Sequence, residues 1–317
     1  MKSKHIYWFL LGLTAIAVTS CKEIFEPNIS NRNVTLEAPG NNYQSTKYAV
    51  SFWWDKVDDA SGYRLQVVTP SLDTIGALVV DTLVKGNTFT MSLDPGRYQW
   101  HVRAENGSSK TAYSTGRSFT VLPSTITTQS VLLTSPANNA LTNQSAINFQ
   151  WGSMYGATKY RLEIDTNNFV NEAAVIYNQV TPAQLIAYTF PKDQTYQWRV
   201  RAENDTAQSK WSAINLIVYN HTPPGIVTLT APANNQTVPL PVSLQWNSTS
   251  KAVKYKLYVL KSDSTTWYNQ TFPLTLTTTS YSFNLGVSFD KVYWKVTAID
   301  AAGNEGQPSV LRHFVIQ

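Results

Sequence analysis

Cysteine is nearly absent: Cys21 is the only one in 317 residues. A single thiol closes no internal disulfide and supplies neither the C-x-x-C pair of a zinc site nor a redox dithiol. Histidine is equally sparse. Of the four, His5 lies near the start, and His101, His221 and His313 stand alone, so no H-x-x-x-H or D-x-D-x-D-G spacing occurs. Charged residues make up 14% of the chain, against about 25% in ordinary soluble domains. The net charge of +5 is spread singly and never forms a run, which argues against nucleic acid as a partner. There is no G-x-S-x-G elbow and no phosphate loop, and the closest carboxylate pair, Asp58-Asp59, reads as a turn. No catalytic residue, metal site or cofactor is expected, so the chain reads as non-enzymatic. After residue 20 no apolar run is long enough to cross a bilayer, and no stretch shows sustained helical periodicity.

The first 20 residues have a different texture. Basic Met1–His5 precedes an apolar stretch from Ile6 to Val18, ending in Val18-Thr19-Ser20-Cys21. This resembles the bacterial lipoprotein signal, in which small residues precede a cysteine that is lipidated and becomes the mature N-terminus. The resemblance implies that residues 1–20 are a signal peptide and that Cys21 carries a lipid attaching the chain to the outer membrane, at the cell surface. The alternative is an ordinary secretory signal followed by a chance cysteine. Residues 21–33 lack periodicity and read as a tether. Glu23 and Glu26, soon after Cys21, resemble the surface-export signal of Bacteroidetes-type lipoproteins.

What the chain has in abundance is repetition. Pro39-Gly-Asn-Asn42, Pro136-Ala-Asn-Asn139 and Pro232-Ala-Asn-Asn235 are one turn written three times, each five residues after Val34, Val131 or Val227. A strand ending in Trp54, Trp151 or Trp246 follows, and nine residues later stands Tyr63, Tyr160 or Tyr255. Late in each copy comes strict alternation: Tyr98-x-Trp100-x-Val102-x-Ala104, Tyr196-x-Trp198-x-Val200-x-Ala202 and Val292-x-Trp294-x-Val296-x-Ala298. Period-two patterning places those residues on one face of a strand, toward a core.

A unit of this length with about seven short strands fits a two-sheet Greek-key sandwich. The tryptophan on the second strand, the tyrosine opening the third, and Y-x-V-x-V-x-A-x-N near the end, matched by Tyr98–Asn106 and Tyr196–Asn204, resemble the fibronectin type III pattern. The resemblance implies an all-β fold of three tandem fibronectin-III/Ig-like modules at 34–122, 130–219 and 224–317. It also implies that Tyr98 and Tyr196 bond their hydroxyls to upstream backbone. The third copy has Val292 at that position. Leu122–Ser130 and Asn220–Gly225 read as linkers, the second stiffened by Pro223-Pro224.

Three features point to binding. Trp53 lies between inward Phe52 and Trp54, so it faces outward where the other copies have Gln150 and Gln245. Trp267-Tyr268 stands in a polar segment, with Tyr258 and Tyr293 on the outward faces of their strands. Arg64, His101 and Arg103, then Arg161, Arg199 and Arg201, form a basic outer face on which Glu163 signals cross-strand ion pairs. An outward ring is a stacking platform for a sugar or a partner surface; the alternatives are rings packed under loops or against cross-strand neighbours. Two functions compete: a surface protein of interaction, adhesion or spacing, and a carbohydrate-binding lipoprotein of a glycan-uptake system. The expected partners are thus a membrane, through the N-terminal lipid, and a protein or glycan ligand.

Overall fold

The computed structural model describes residues 26–317, and the chain is all-β with three two-sheet units. Cys21, the lipidation candidate, and the signal segment lie outside the described residues. The first sandwich comprises β1 (Leu36–Ala38), β2 (Tyr43–Ser45), β3 (Ala49–Trp54), β4 (Gly62–Pro70), β5 (Ile75–Val84), β6 (Thr88–Ser92), β7 (Gly96–Glu105) and β8 (Arg117–Val121). The second repeats it with β9 (Leu133–Ser135), β10 (Ala140–Thr142), β11 (Ala146–Trp151), β12 (Lys159–Asp165), β13 (Tyr177–Thr181), β14 (Leu185–Thr189), β15 (Gln194–Glu203) and β16 (Asn215–Tyr219). The third has β17 (Leu229–Ala231), β18 (Gln236–Val238), β19 (Val242–Trp246), β20 (Ala252–Leu260), β21 (Leu274–Leu276), β22 (Ser280–Phe283), β23 (Lys291–Asp300) and β24 (Arg312–Ile316).

Sheet order is the same each time: three strands, as in β17-β19-β22, and five, as in β18-β24-β23-β20-β21. The short strand after each Pro-x-Asn-Asn turn pairs parallel with the last strand of its unit, and the sequence repeat explains how. The second asparagine of the turn takes a left-handed backbone, with φ of 61° at Asn42, 61° at Asn139 and 66° at Asn235, a conformation asparagine tolerates better than most residues. The first asparagine accepts a hydrogen bond from the start of the last strand: Ser118 N–H to Asn41, Leu216 N–H to Asn138 and His313 N–H to Asn234. One turn therefore reverses the chain and also binds two segments almost 80 residues apart.

The alternating strands bury the residues that parity selects. Trp100, Trp198 and Trp294 are wholly buried, and Trp54, Trp151 and Trp246 lie beside Tyr63, Tyr160 and Tyr255 with ring centroids 5.6, 5.9 and 5.9 Å apart. Each of those tyrosines closes the preceding loop, its hydroxyl accepting from the N–H six residues upstream (Val57, Met154 and Thr249). Tyr196 donates to the Lys192 carbonyl at 2.8 Å, as the fibronectin resemblance implies. Val292, in the third unit, is buried and has no hydroxyl to do so. All six indole N–H groups lack an acceptor among the described residues. Their repetition marks them as a property of the unit.

The connecting segments make specific contacts. The described part of the tether is docked: Ile29 is fully buried, its N–H donates to Ser109 Oγ at 2.9 Å, and Asn106 Nδ2 donates to the Pro27 carbonyl at 2.8 Å. A lone isoleucine in a polar segment has no period to reveal it. The Leu122–Ser130 linker forms a short 3-10 turn, Ile126–Thr128, ending at buried Gln129. Gln129 donates to the Thr46 carbonyl at 2.9 Å and accepts from Tyr48 N–H at 3.1 Å. At the other linker Asn220 donates to Asp300 at 2.7 Å, and His221 N–H bonds Asp193 at 2.9 Å.

Candidate functional site

The outer faces of the five-stranded sheets carry most of the polar chemistry, and the three differ. In the first sandwich, β4 and β7 project Arg64, Gln66, His101 and Arg103 outward. Arg64 pairs with Asp81, and Arg103 Nε donates to Glu105 at 2.7 Å. His101 stacks on Tyr113 with centroids 4.0 Å apart and its Nε2 lies 2.8 Å from Gln66 Oε1, while the Arg103 guanidinium sits 4.8 Å from the same ring. Burial and, next, the charge of Arg103 lower the His101 pKa from its ordinary 6.5. The unfolded chain therefore takes up the proton more readily than the folded one. His101 leaves stability untouched above pH 6.5 and subtracts from it as pH falls through that value. Wild-type thermal stability should drop more steeply than that of His101→Gln between about pH 7 and pH 5. Parallel curves for the two proteins would contradict this.

The second sandwich closes the same face with a network. Arg199 on β15 bonds Glu163 on β12 through Nε and Nη2, at 3.0 and 2.8 Å, and Glu172 at 2.8 Å. Its guanidinium lies between two rings, 4.2 Å from Phe169 and 4.1 Å from Trp211. Arg161 and Arg201 both donate to Glu203, at 2.7 and 2.8 Å. Burial opposes ionisation of Glu203, but the hydrogen bonds from Arg161 and Arg201 outweigh it and hold its carboxyl below the ordinary range. Every arginine that the alternation turned outward is paired, as Glu163 signalled.

In the third sandwich Lys256 and Lys295 stand where the second has Arg161 and Arg199, and Thr297 stands where it has Arg201. Tyr113 and Trp211 immediately precede Ser114 and Ser212, whose hydroxyls accept from Val102 and Val200 N–H; the matching serine of the third copy, accepting from Val296 N–H, is Ser309, and the residue before it is Pro308. The ring that covers the face from that loop is thus missing. A ring arrives from the other side instead: Trp267 bridges Leu260 through the backbone and stacks on Tyr258, with centroids 5.8 Å apart and planes inclined by 28°. It remains 44% exposed. The Tyr258 ring has Lys256 Nζ at 5.6 Å and Lys295 Nζ at 5.4 Å. Its hydroxyl donates to Glu305 at 2.6 Å, and Glu305 also accepts from Thr297 at 2.7 Å and pairs with Lys256 at 3.2 Å. Burial first, then the bond to Glu305, raises the Tyr258 pKa. Tyr258 faces Lys295 across the strands, and Tyr293 faces Leu260, so the two tyrosines are not directly opposed. Tyr293 packs on His313 at 4.9 Å instead.

Trp267 and Tyr268, adjacent in sequence, go to different places. Tyr268 turns inward, meets Phe283 edge-on at 5.1 Å and joins the core, its hydroxyl donating to Asp290 at 3.3 Å. It lines a cavity of about 280 Å³ with Lys261, Ser262, Asp290 and Lys291. Gly286 underlies it at φ 96°, where an added Cβ would fall 2.4 Å from the Tyr268 hydroxyl and 2.9 Å from Asp290. Only glycine fits there. Sequence reading missed this cavity and its lysines. Trp53, on the first sandwich, is 47% exposed, and among the described residues no other ring or cation lies against it. No group of three or more His, Cys, Asp or Glu able to hold a metal occurs among the described residues.

No family model matches the chain, and no curated protein matches it. Among solved structures it is similar to chicken CNTN1 FN1–FN3 domains, at 14% identity over 89% of this chain and 97% of that one, with a TM-score of 0.44. It is also similar to the fibronectin(III)-like modules of Clostridium thermocellum CbhA, at 15% identity over 59% of this chain and 94% of that one, with a TM-score of 0.38. Neither bears on ligand or activity, and the chain stands as three two-sheet β-sandwiches in tandem.

Proposed function

We propose that this chain is a non-enzymatic, lipid-anchored surface protein that docks a ligand on the outer sheet face of its third sandwich. The observation that carries this reading is the contrast between equivalent faces. Arginine–carboxylate networks under Tyr113 and Trp211 occupy the first two, whereas the third offers a half-exposed Trp267 stacked on Tyr258 among lysines. A rigid ring gives large contact area for little lost side-chain entropy. The anchor rests on Cys21 and the residues before it. A saccharide is favoured over a protein partner by the cavity beside the ring, which is small and polar where protein docking needs broad area.

Two results test the reading. Trp267→Ala and Tyr258→Ala should each leave the melting temperature nearly unchanged while removing binding to whichever neutral or acidic polysaccharide the wild-type chain retains. A fall of many degrees, or binding that survives, would remove the docking face. Cys21→Ser should move the protein from the membrane to the soluble fraction of the producing cell, and continued membrane retention would remove the anchor.

A further inference from the structure

We infer that the third sandwich takes an anionic saccharide, a sugar chain bearing carboxylate or sulfate groups, with a charged sugar at the Lys261–Lys291 cavity and a neighbouring sugar on Trp267. The inference rests on the docking face proposed above and adds the chemistry of its ligand.

Charge is the first ground. Among the described residues, Lys261, Lys291 and Lys295 have no carboxylate within ion-pair distance. The carboxylate in the cavity wall is already engaged: Asp290 accepts from the Tyr268 hydroxyl at 3.3 Å and from Val287 N–H at 3.0 Å. Glu305, on the sheet face, is likewise committed to Tyr258, Thr297 and Lys256. Asp263, in the Trp267 loop, accepts from Thr265 and Thr266 and like Asp290 forms no ion pair among the described residues, so the three lysines against these two carboxylates leave an excess of one positive charge. An ammonium is a compact point charge, suited to carboxylate or sulfate without the bidentate geometry an arginine imposes.

Continuity is the second. Lys261 follows Leu260, Tyr268 follows Trp267, and Leu260 and Trp267 are bridged. Two chain segments thus carry both platform and cavity, and Lys291 arrives on β23, the partner of β20. Size is the third. At about 280 Å³ the cavity lies at the lower limit of ligand pockets, about 300–1,000 Å³, which suits one ring. A peptide would instead seek an unpaired strand edge, a helix groove or a proline-ready aromatic channel, whereas these groups stand on the flat of a sheet and at its end.

The experiment is calorimetric titration of the full chain in detergent with polygalacturonate, heparin, dextran and poly-glutamate. At least one of the two acidic polysaccharides should bind, with Kd between about 10 μM and 1 mM for so shallow a site; which one separates carboxylate from sulfate. Binding should weaken as salt shortens the Debye length from about 10 Å to about 3 Å. It should fall about tenfold or more in Lys261→Gln/Lys291→Gln and in Trp267→Ala, with melting temperatures unchanged. Binding of neither acidic polysaccharide overturns the inference. So does poly-glutamate binding as tightly as the polysaccharides, or a lysine variant that binds like wild type. Dextran bound equally well, and lost in Trp267→Ala, overturns the charge assignment while the docking face stands. Polysaccharide binding that persists in Trp267→Ala removes both.

Discussion

Replacing Trp151 by alanine should destabilise the second sandwich by about 3–5 kcal/mol. The indole is 3% exposed and packs against Tyr160 at a centroid distance of 5.9 Å. Truncation removes its buried area and leaves a void that the surrounding strands cannot close without leaving register. Against a domain stability of about 5–15 kcal/mol, the loss takes a large share of what holds this sandwich folded. Because Trp151 Nε1 has no acceptor among the described residues, the change frees no hydrogen-bond partner, and the effect is one of packing alone. Hydrogen exchange read by peptide mass spectrometry localises it: residues 146–219 should exchange faster in the variant, while the peptides of the third sandwich change little. A destabilisation below about 1 kcal/mol would show that the indole does not fill the core.

Arg199→Met should have an effect of similar size by a different route. Glu163 is 3% exposed and Arg199 8%, so the methionine would leave a carboxylate buried with the Asn178 side-chain amide, 3.1 Å away, as its remaining donor. Removing one partner of a buried pair costs about 3–5 kcal/mol. The contact with exposed Glu172 contributes little of this, since solvated ion pairs are worth about 0–1 kcal/mol. The companion Arg199→Met/Glu163→Leu should recover most of the loss, because it removes the uncompensated buried carboxylate and Phe169 and Trp211 offer the methionine an apolar slot. A double variant as unstable as the single one would mean that the packing of the guanidinium between the rings, rather than its charge, holds the face.

The sequence discloses the fold through residues whose role is local or periodic. Alternation places Trp100, Trp198 and Trp294 in the core, and the Pro-x-Asn-Asn repeats mark turns. It is silent on what those asparagines bond, because Asn41 finds Ser118 only once the last strand has paired. Tyr63, Tyr160 and Tyr255 are visible as landmarks, but their hydroxyl bonds to the preceding loop are not. Trp53 and Trp267 are both legible as outward rings, and both are exposed. Tyr268 is not legible in the same way, since neighbours outside a strand have no fixed parity. The cavity escapes altogether: Lys261 and Lys291 stand 30 residues apart, and only the pairing of Leu260 with Tyr293 brings them together. The missing ring at Pro308 is the one trace of the open face that the repeat alignment carries.

Oxidative footprinting of the full chain tests the docking face most directly, because it reads aromatic side chains one by one. It is performed with and without heparin or polygalacturonate, whichever binds more tightly. Ligand should suppress labelling of Trp267 and Tyr258 while His101, Tyr113 and Trp211 label as before. Unchanged labelling of Trp267 in the presence of bound ligand would contradict the assignment.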